Sequence, residues 1–213
     1  MEPDDYWECF MMRKKLRFYR QHTMETCGPA CMLMLLDLYR KTQYPTPKQE
    51  MKLYGLYRSR AFKGTRGASI ALCLARNGLD VHLVHSSSEM LDNRDGYYTD
   101  ELYSALLAEY QAEVEKCKGK ISLFTGVEVT CGTLRQELDA GRQIIMKTIV
   151  PGNADGIHDH TLHWILVYGY EGNHFHVCDP LSSKIKLTAA EMEHYMDTPV
   201  GRIYISVCDA SKE

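Results

Sequence analysis

Apolar residues recur with a helical period in the first half of the chain and with a strand period in the second. "CGPACMLMLLDLYRK", residues 27–41, places Cys27, Ala30, Cys31, Met34, Leu35 and Leu38 close to the i, i+3, i+4, i+7 template of a helix with one buried face. Pro29 falls in its first turn, where the missing N–H costs nothing. "YPTPKQE" breaks this helix and starts another, and "GASIALCLARNGLDVHLV" reads as a helix stopping near Gly78 followed by a short strand. Residues 92–120 are polar and predict a helical segment with too little apolar content for a core of its own. We read 86–125 as an inserted helical segment within one domain spanning residues 1–213.

Beyond residue 130 the period changes. "TLRQELDAGRQIIMKTIV" predicts a short helix, a turn at Gly141 and a strand. "HWILVYGYEGNHFHVCDP" predicts two strands joined by the tight turn of "EGN". Thr188 and Glu191 have capping-box spacing ahead of another short helix, and "GRIYISVCD" predicts a closing strand. Helices followed by antiparallel strands point to an α+β fold.

Composition excludes more than it assigns. With 45% hydrophobic and 25% charged residues the 213-residue chain is an ordinary globular one, and a net charge of -3 gives no electrostatic reason for a nucleic-acid partner. The start, "MEPDDYWECFMMRKKL", has no apolar stretch of signal-peptide type. Nor does any segment approach the roughly 18 apolar residues of a membrane span. The expectation is a cytoplasmic protein without membrane insertion, its oligomeric state unspecified. The eight cysteines are expected to be reduced, most of them packed as small hydrophobes.

Cys27 stands apart because it opens a helix. Unsatisfied N–H groups and the helix dipole favour a thiolate there, and a neighbouring imidazolium favours it further. A thiolate nucleophile needs a histidine held by a carboxylate or amide, and donors for the developing oxyanion. Each part has a candidate. His163 directly precedes an apolar strand, Asp179 ends the next one just before Pro180, and Gln21 lies six residues ahead of Cys27. If the hairpin pairs the two strands, Asp179 comes beside His163.

In order along the chain, "QHTMETCGPAC", "GTRGASIALCLARNGLDV", "LRQELDAGRQII", "HWILVYGY" and "VCDP" resemble the papain-like peptidases that cleave double-glycine leader peptides from bacteriocins, and their stand-alone bacterial relatives. The resemblance covers roughly residues 17–207. It implies a papain-like fold, a helical half packed against an antiparallel β-sheet half with the active site in the cleft. It makes Cys27 the nucleophile, His163 the general base, Asp179 the residue that orients it and Gln21 the oxyanion donor. Gly67 and the helix after it would support the cleft. The implied substrate is a peptide or protein, cleaved after small residues such as Gly, with no cofactor.

Other readings of the same residues remain open. "GIHDHTLHW" also holds His158 and His160, which with His163 and Cys178 could ligate a metal, although the spacing matches no familiar zinc motif. Asp179 could simply open a turn before Pro180, Cys31 could pair with Cys27 in redox chemistry, and Trp164 could cover the His–Asp pair or fill the core. The same Cys–His–Asp set also serves an acyltransferase or cyclising enzyme, and an idle binding module could keep the fold alone.

Overall fold

The computed structural model describes residues 16–42, 44–93, 96–150 and 161–210. Its elements in chain order are α1 (Cys27–Leu38), α2 (Pro47–Tyr57), α3 (Gly67–Arg76), β1 (Leu79–His85), α4 (Asp100–Cys117), β2 (Ser122–Phe124), α5 (Cys131–Asp139), β3 (Gln143–Val150), β4 (Thr161–Glu171), β5 (His174–Cys178), β6 (Lys184–Thr188), α6 (Ala189–Met196) and β7 (Ile203–Asp209). The seven strands form one sheet in the order β2-β1-β7-β3-β4-β5-β6. All neighbours are antiparallel except β1 and β2.

Local signals explain most boundaries. Thr46 caps α2 by accepting from the Gln49 N–H, with Pro47 just inside. Thr188 and Glu191 form the expected capping box of α6. Gly78 follows α3 with φ +77°, the left-handed conformation that ends a helix cheaply only at glycine. Gly172 turns the β4–β5 hairpin with φ +55°.

Strand alternation divides the core in two. Ile145, Trp164, Leu166, Ile203, Ile205 and Val207 pack on one side with Met34 and Leu35 of α1 and Ile70 and Leu74 of α3. Ile144, Met146, Ile165, Val167, Phe175 and Tyr204 pack on the other with Leu134 of α5 and Met192 of α6. The architecture is the expected α+β one, with two differences in arrangement. β1 and β2, from the first half, extend the sheet, and α5 and α6 cover its second face.

Among the described residues, the region expected to be a helical insertion is helical only over Asp100–Cys117, with the short β2 after it. α4 has no core of its own. It buries Leu106 and Tyr110 in the first cluster, donates the buried Cys117 S–H to the Ala68 carbonyl at 3.5 Å, and is tied by charge to the segment before α3. There Arg66 pairs with both Glu109 and Glu113, while Glu109 also accepts from the Ser59 hydroxyl at 2.8 Å and the Arg60 N–H at 2.7 Å.

One irregularity matters for the site. Glu171↔His174, Tyr170↔Phe175 and Gly169↔His176 share one register, but Val167↔Val177 and Leu166↔Cys178 follow another. Tyr168 is the extra residue of a β-bulge. Continuing the second register sets Asp179 opposite Ile165, on the face that also carries His163. Without the bulge Asp179 would fall opposite Leu166 and point to the other face.

Candidate active site

β5 ends at Cys178, so among the described residues β4 has no strand partner on that side before Leu166. The N-terminal turn of α1 occupies the vacated edge. Cys31 donates its S–H to the Trp164 carbonyl at 3.4 Å, and the Trp164 backbone N–H donates to the Cys27 sulfur. Two cysteines one helical turn apart thus take both backbone groups of one strand residue. Cys27 is 6% exposed and His163 5% exposed.

His163 Nε2 lies 2.8 Å from Asp179 Oδ1, which leaves Nδ1 for the hydrogen bond to the Cys27 sulfur. Asp179 is fixed independently. Its Oδ1 accepts from the Leu181 N–H at 2.9 Å, and its Oδ2 accepts from the Ser182 hydroxyl at 2.8 Å. Both readings of Asp179 hold in geometry, since it organises the turn before β6 and also bonds the imidazole.

Charge follows this geometry. Burial pushes the Cys27 thiol up, but the hydrogen bond and positive charge of His163, with the Trp164 and Gly28 N–H groups, outweigh it and leave the thiol below its ordinary value. Burial pulls His163 down, yet Asp179 and the Cys27 sulfur lift it to about 9. Burial raises Asp179 less than His163 and the two turn donors lower it. Cys31 goes the opposite way, pushed well up by burial and by the negative charges of Cys27 and Asp179. Cys27 and Cys31, four residues apart, are therefore chemically unlike, and no disulfide joins any of the described cysteines.

The start of α1 has no side-chain cap. Thr26 stands at its N-cap but makes no capping bond. Its hydroxyl donates instead to the Thr23 carbonyl at 2.9 Å.

Gln21 is brought to the same place by long-range contacts. Its N–H donates to the Pro180 carbonyl at 2.8 Å, next to Asp179. Its neighbour His22 donates a backbone N–H to Glu50 at 2.8 Å, and Tyr19 donates its hydroxyl to the same carboxylate at 2.5 Å. Glu50, on α2, is fully buried. The Gln21 amide donates one N–H to the Thr23 carbonyl at 2.8 Å, and its buried Oε1 has no partner among the described residues.

The wall behind the cysteine was not anticipated from sequence. Trp164 is buried in the first core cluster and donates its indole N–H to the Thr65 carbonyl at 2.8 Å, so it fills the core rather than covering the His–Asp pair. Thr65 abuts Gly28, where an added Cβ would stand 3.0 Å from the Thr65 Cβ. A bulky aromatic directly after His163 was the available signal, but its partner, 99 residues earlier, was not readable. His158 and His160 lie outside the described residues, and among the described ones no three His, Cys, Asp or Glu side chains gather as a metal site.

The four candidates expected from sequence therefore meet at one end of the sheet. Comparison with known proteins bears on what they belong to. No curated protein matches the chain significantly. Among solved structures it is similar to a double glycine motif protease from an AMS/PCAT transporter in complex with the leader peptide, at 15% identity and TM-score 0.45, covering 91% of this chain and 93% of that one. It is also similar to the peptidase domain of Streptococcus ComA, a bi-functional ABC transporter involved in a quorum-sensing pathway, at 13% identity and TM-score 0.47, covering 91% and 98%. A third is a C39-like peptidase from Bacillus anthracis, at 14% identity and TM-score 0.44, covering 91% and 94%. The profile of the Peptidase_C39 like family, a family of cysteine-peptidase type, matches residues 16–206. That span includes every element described above except the last three residues of β7, and the chain belongs to the Peptidase_C39 like family.

Proposed function

We propose that the chain is a cysteine peptidase or isopeptidase acting through a Cys27–His163–Asp179 site, within one domain and in the cytoplasm. The observation that carries this reading is the hydrogen-bonded series from the Cys27 sulfur through His163 to Asp179, with a 2.8 Å contact at its second link. The Cys27 thiolate attacks the substrate carbonyl carbon, and the electron pair moves onto the carbonyl oxygen. The Cys27 N–H, at the uncapped start of α1, and the Gln21 amide hold that oxyanion. His163 gives its Nδ1 proton to the leaving amine, the C–N bond breaks and a thioester remains. His163 then takes a proton from water, the resulting hydroxide adds to the thioester, and the thiolate departs. The cycle needs no cofactor.

The substrate class is a peptide or protein chain, and the family resemblance favours small residues such as Gly ahead of the scissile bond. A panel of peptides carrying a C-terminal electrophile, read by mass spectrometry, tests the reading. The expected result is one adduct on Cys27 that disappears in Cys27→Ala and slows at least tenfold in His163→Ala. Labelling spread over several cysteines, or unaffected by His163→Ala, would refute it. Adding a competing amine to a turnover assay separates hydrolysis from acyl transfer, since a transferase forms conjugate at low amine concentration.

A further inference from the structure

β3, "QIIMKTIV", carries one charge in an otherwise uncharged strand, Lys147. Lys147 faces Trp164 across the β3–β4 register, and its Nζ stands 5.1 Å from the centre of the indole. That same Trp164 gives its backbone N–H to the Cys27 sulfur. The ammonium is thus mounted one strand behind the nucleophile, on the side away from Asp179.

Among the described residues Lys147 makes no ion pair and no hydrogen bond, and the ring of Trp164 is its one polar contact. The charged groups around it do not replace a partner. Arg66, ahead of α3, is a cation already bound to Glu109 and Glu113 of α4. His85 of β1 is kept neutral, lowered to about 4 by burial and by the charge of Lys147, with its Nε2 bonded to the Tyr110 hydroxyl of α4 at 2.7 Å. His163 of β4 bonds the sulfur with Asp179 behind it, and Cys31 lies one turn along α1. Burial lowers Lys147 to about 8 against the attraction of Cys27, so it remains a cation at neutral pH. A cation set in a strand without a carboxylate is costly to fold, and the attraction acting on it is that of the Cys27 sulfur.

We infer that Lys147 is a positioning residue for the nucleophile: its ammonium, fixed over Trp164, supplies a positive field at the Cys27 sulfur in addition to that of His163. The inference rests on the reading of Cys27 as a thiolate nucleophile. It makes the lone charge of β3 a functional feature kept at the expense of stability.

The test is the rate of Cys27 alkylation by iodoacetamide in the full chain between pH 4 and 9, read on the Cys27 peptide by mass spectrometry. Lys147→Met removes the charge and keeps the bulk, Lys147→Gln does the same with a polar end, and Lys147→Arg keeps the charge. In both neutral variants the midpoint should rise by about one pH unit, a roughly tenfold slower reaction on the acid side. Their melting temperatures should be unchanged or higher. Lys147→Arg should keep the midpoint, and the shift should persist on top of His163→Ala. An unshifted midpoint in the neutral variants that fold would overturn the role of Lys147 and leave the nucleophile intact. A lower melting temperature without a midpoint shift would make Lys147 a packing residue. Slow, pH-indifferent alkylation of the unaltered protein would overturn the nucleophile itself.

Discussion

His163 Nε2 stands 2.8 Å from Asp179 Oδ1 across a hairpin whose register shifts by one residue between Val167 and Gly169. The contact depends on how many residues β4 contains more than on which residue is the extra one. Deleting Tyr168 returns the pairing to a continuous register and turns Asp179 to the opposite face from His163. Tyr168→Ala keeps the count. The deletion should abolish Cys27 reactivity toward an electrophilic peptide, while Tyr168→Ala should stay within about threefold of the parent. Equal loss in both would show that the tyrosine ring, packed near Lys184, is what matters.

Asp179 has two tasks, and substitution should separate them. Asp179→Asn keeps an oxygen for the His163 N–H and for the Leu181 N–H, whereas Asp179→Ala removes the acceptor from the imidazole, Leu181 and Ser182 together. Losing the turn bonds should cost about 1 kcal/mol of stability in the alanine variant. kcat/KM should fall by about 10²-fold or more in Asp179→Ala and clearly less in Asp179→Asn. Steady-state kinetics beside urea unfolding checks both arms.

The hairpin itself was legible, because "EGN" between two apolar runs is a local signal and its turn fell where expected. Which face Asp179 takes was not legible. Parity across a hairpin changes with one unpaired residue, and no feature of "WILVYGY" short of the structure says that Tyr168 is that residue. The helix start at Cys27 and the capping box at Thr188 were legible for the same local reason. The contacts that close the site are not local. Gln21 reaches Pro180, Glu50 holds Tyr19 and His22, and Trp164 bonds Thr65, each across tens of residues or more. A polar helix such as α4 shows its surface pattern in sequence but not that Glu109 and Glu113 answer a buried arginine.

The Cys27–His163 pair should set a bell-shaped pH dependence of kcat/KM. The acid limb reports Cys27 below its ordinary 9.0, and the alkaline limb reports His163 near 9. Stability should behave differently. His163, raised in the fold, contributes fully below its ordinary 6.5 and loses that contribution as pH rises through about 9. Cys27, lowered, contributes above 9.0 and loses it as pH falls toward its folded value. Between 6.5 and 9.0 the two slopes oppose: the contribution of His163 falls as pH rises while that of Cys27 grows. Cys27→Ala removes one slope, so its stability should decline more steeply across that window than that of the parent. Urea midpoints at pH 6.5, 7.5 and 8.5 measure the difference.

Gly28 is placed where a side chain does not fit. A Cβ there would stand 3.0 Å from the Thr65 Cβ and 3.2 Å from Ile70 Cδ1, both enclosed groups. Gly28→Ala improves helix propensity but drives α1 away from the wall that Trp164 and Thr65 form. The net effect should be a loss of about 1–2 kcal/mol in stability, with a fall in Cys27 alkylation rate as the Trp164 N–H is drawn off the sulfur. A stabilised variant with unchanged alkylation would show that the wall yields freely.

Arg66 joins this wall to α4, and its ion pairs should behave unlike those at the surface. Its side chain is 9% exposed between Glu109 and Glu113, and Glu109 is lowered to about 2: burial raises it, but Arg66, the Arg60 N–H and Ser59 outweigh that. Arg66→Met leaves two carboxylates facing each other in a partly buried place, at a cost of about 3 kcal/mol or more. The exposed Lys41–Asp209 pair, 3.4 Å apart, should cost no more than about 0.5 kcal/mol when Lys41 becomes Met. Because Trp164 bonds the carbonyl of Thr65, directly ahead of Arg66, the effect should travel to the site. Arg66→Met should slow Cys27 alkylation without touching the sulfur, and adding Glu109→Gln and Glu113→Gln should restore part of the stability by removing the unpaired charges. Thermal melts of the three proteins alongside alkylation rates decide it, and an Arg66→Met protein as stable as the parent would mean that α4 is held by Leu106 and Tyr110 alone.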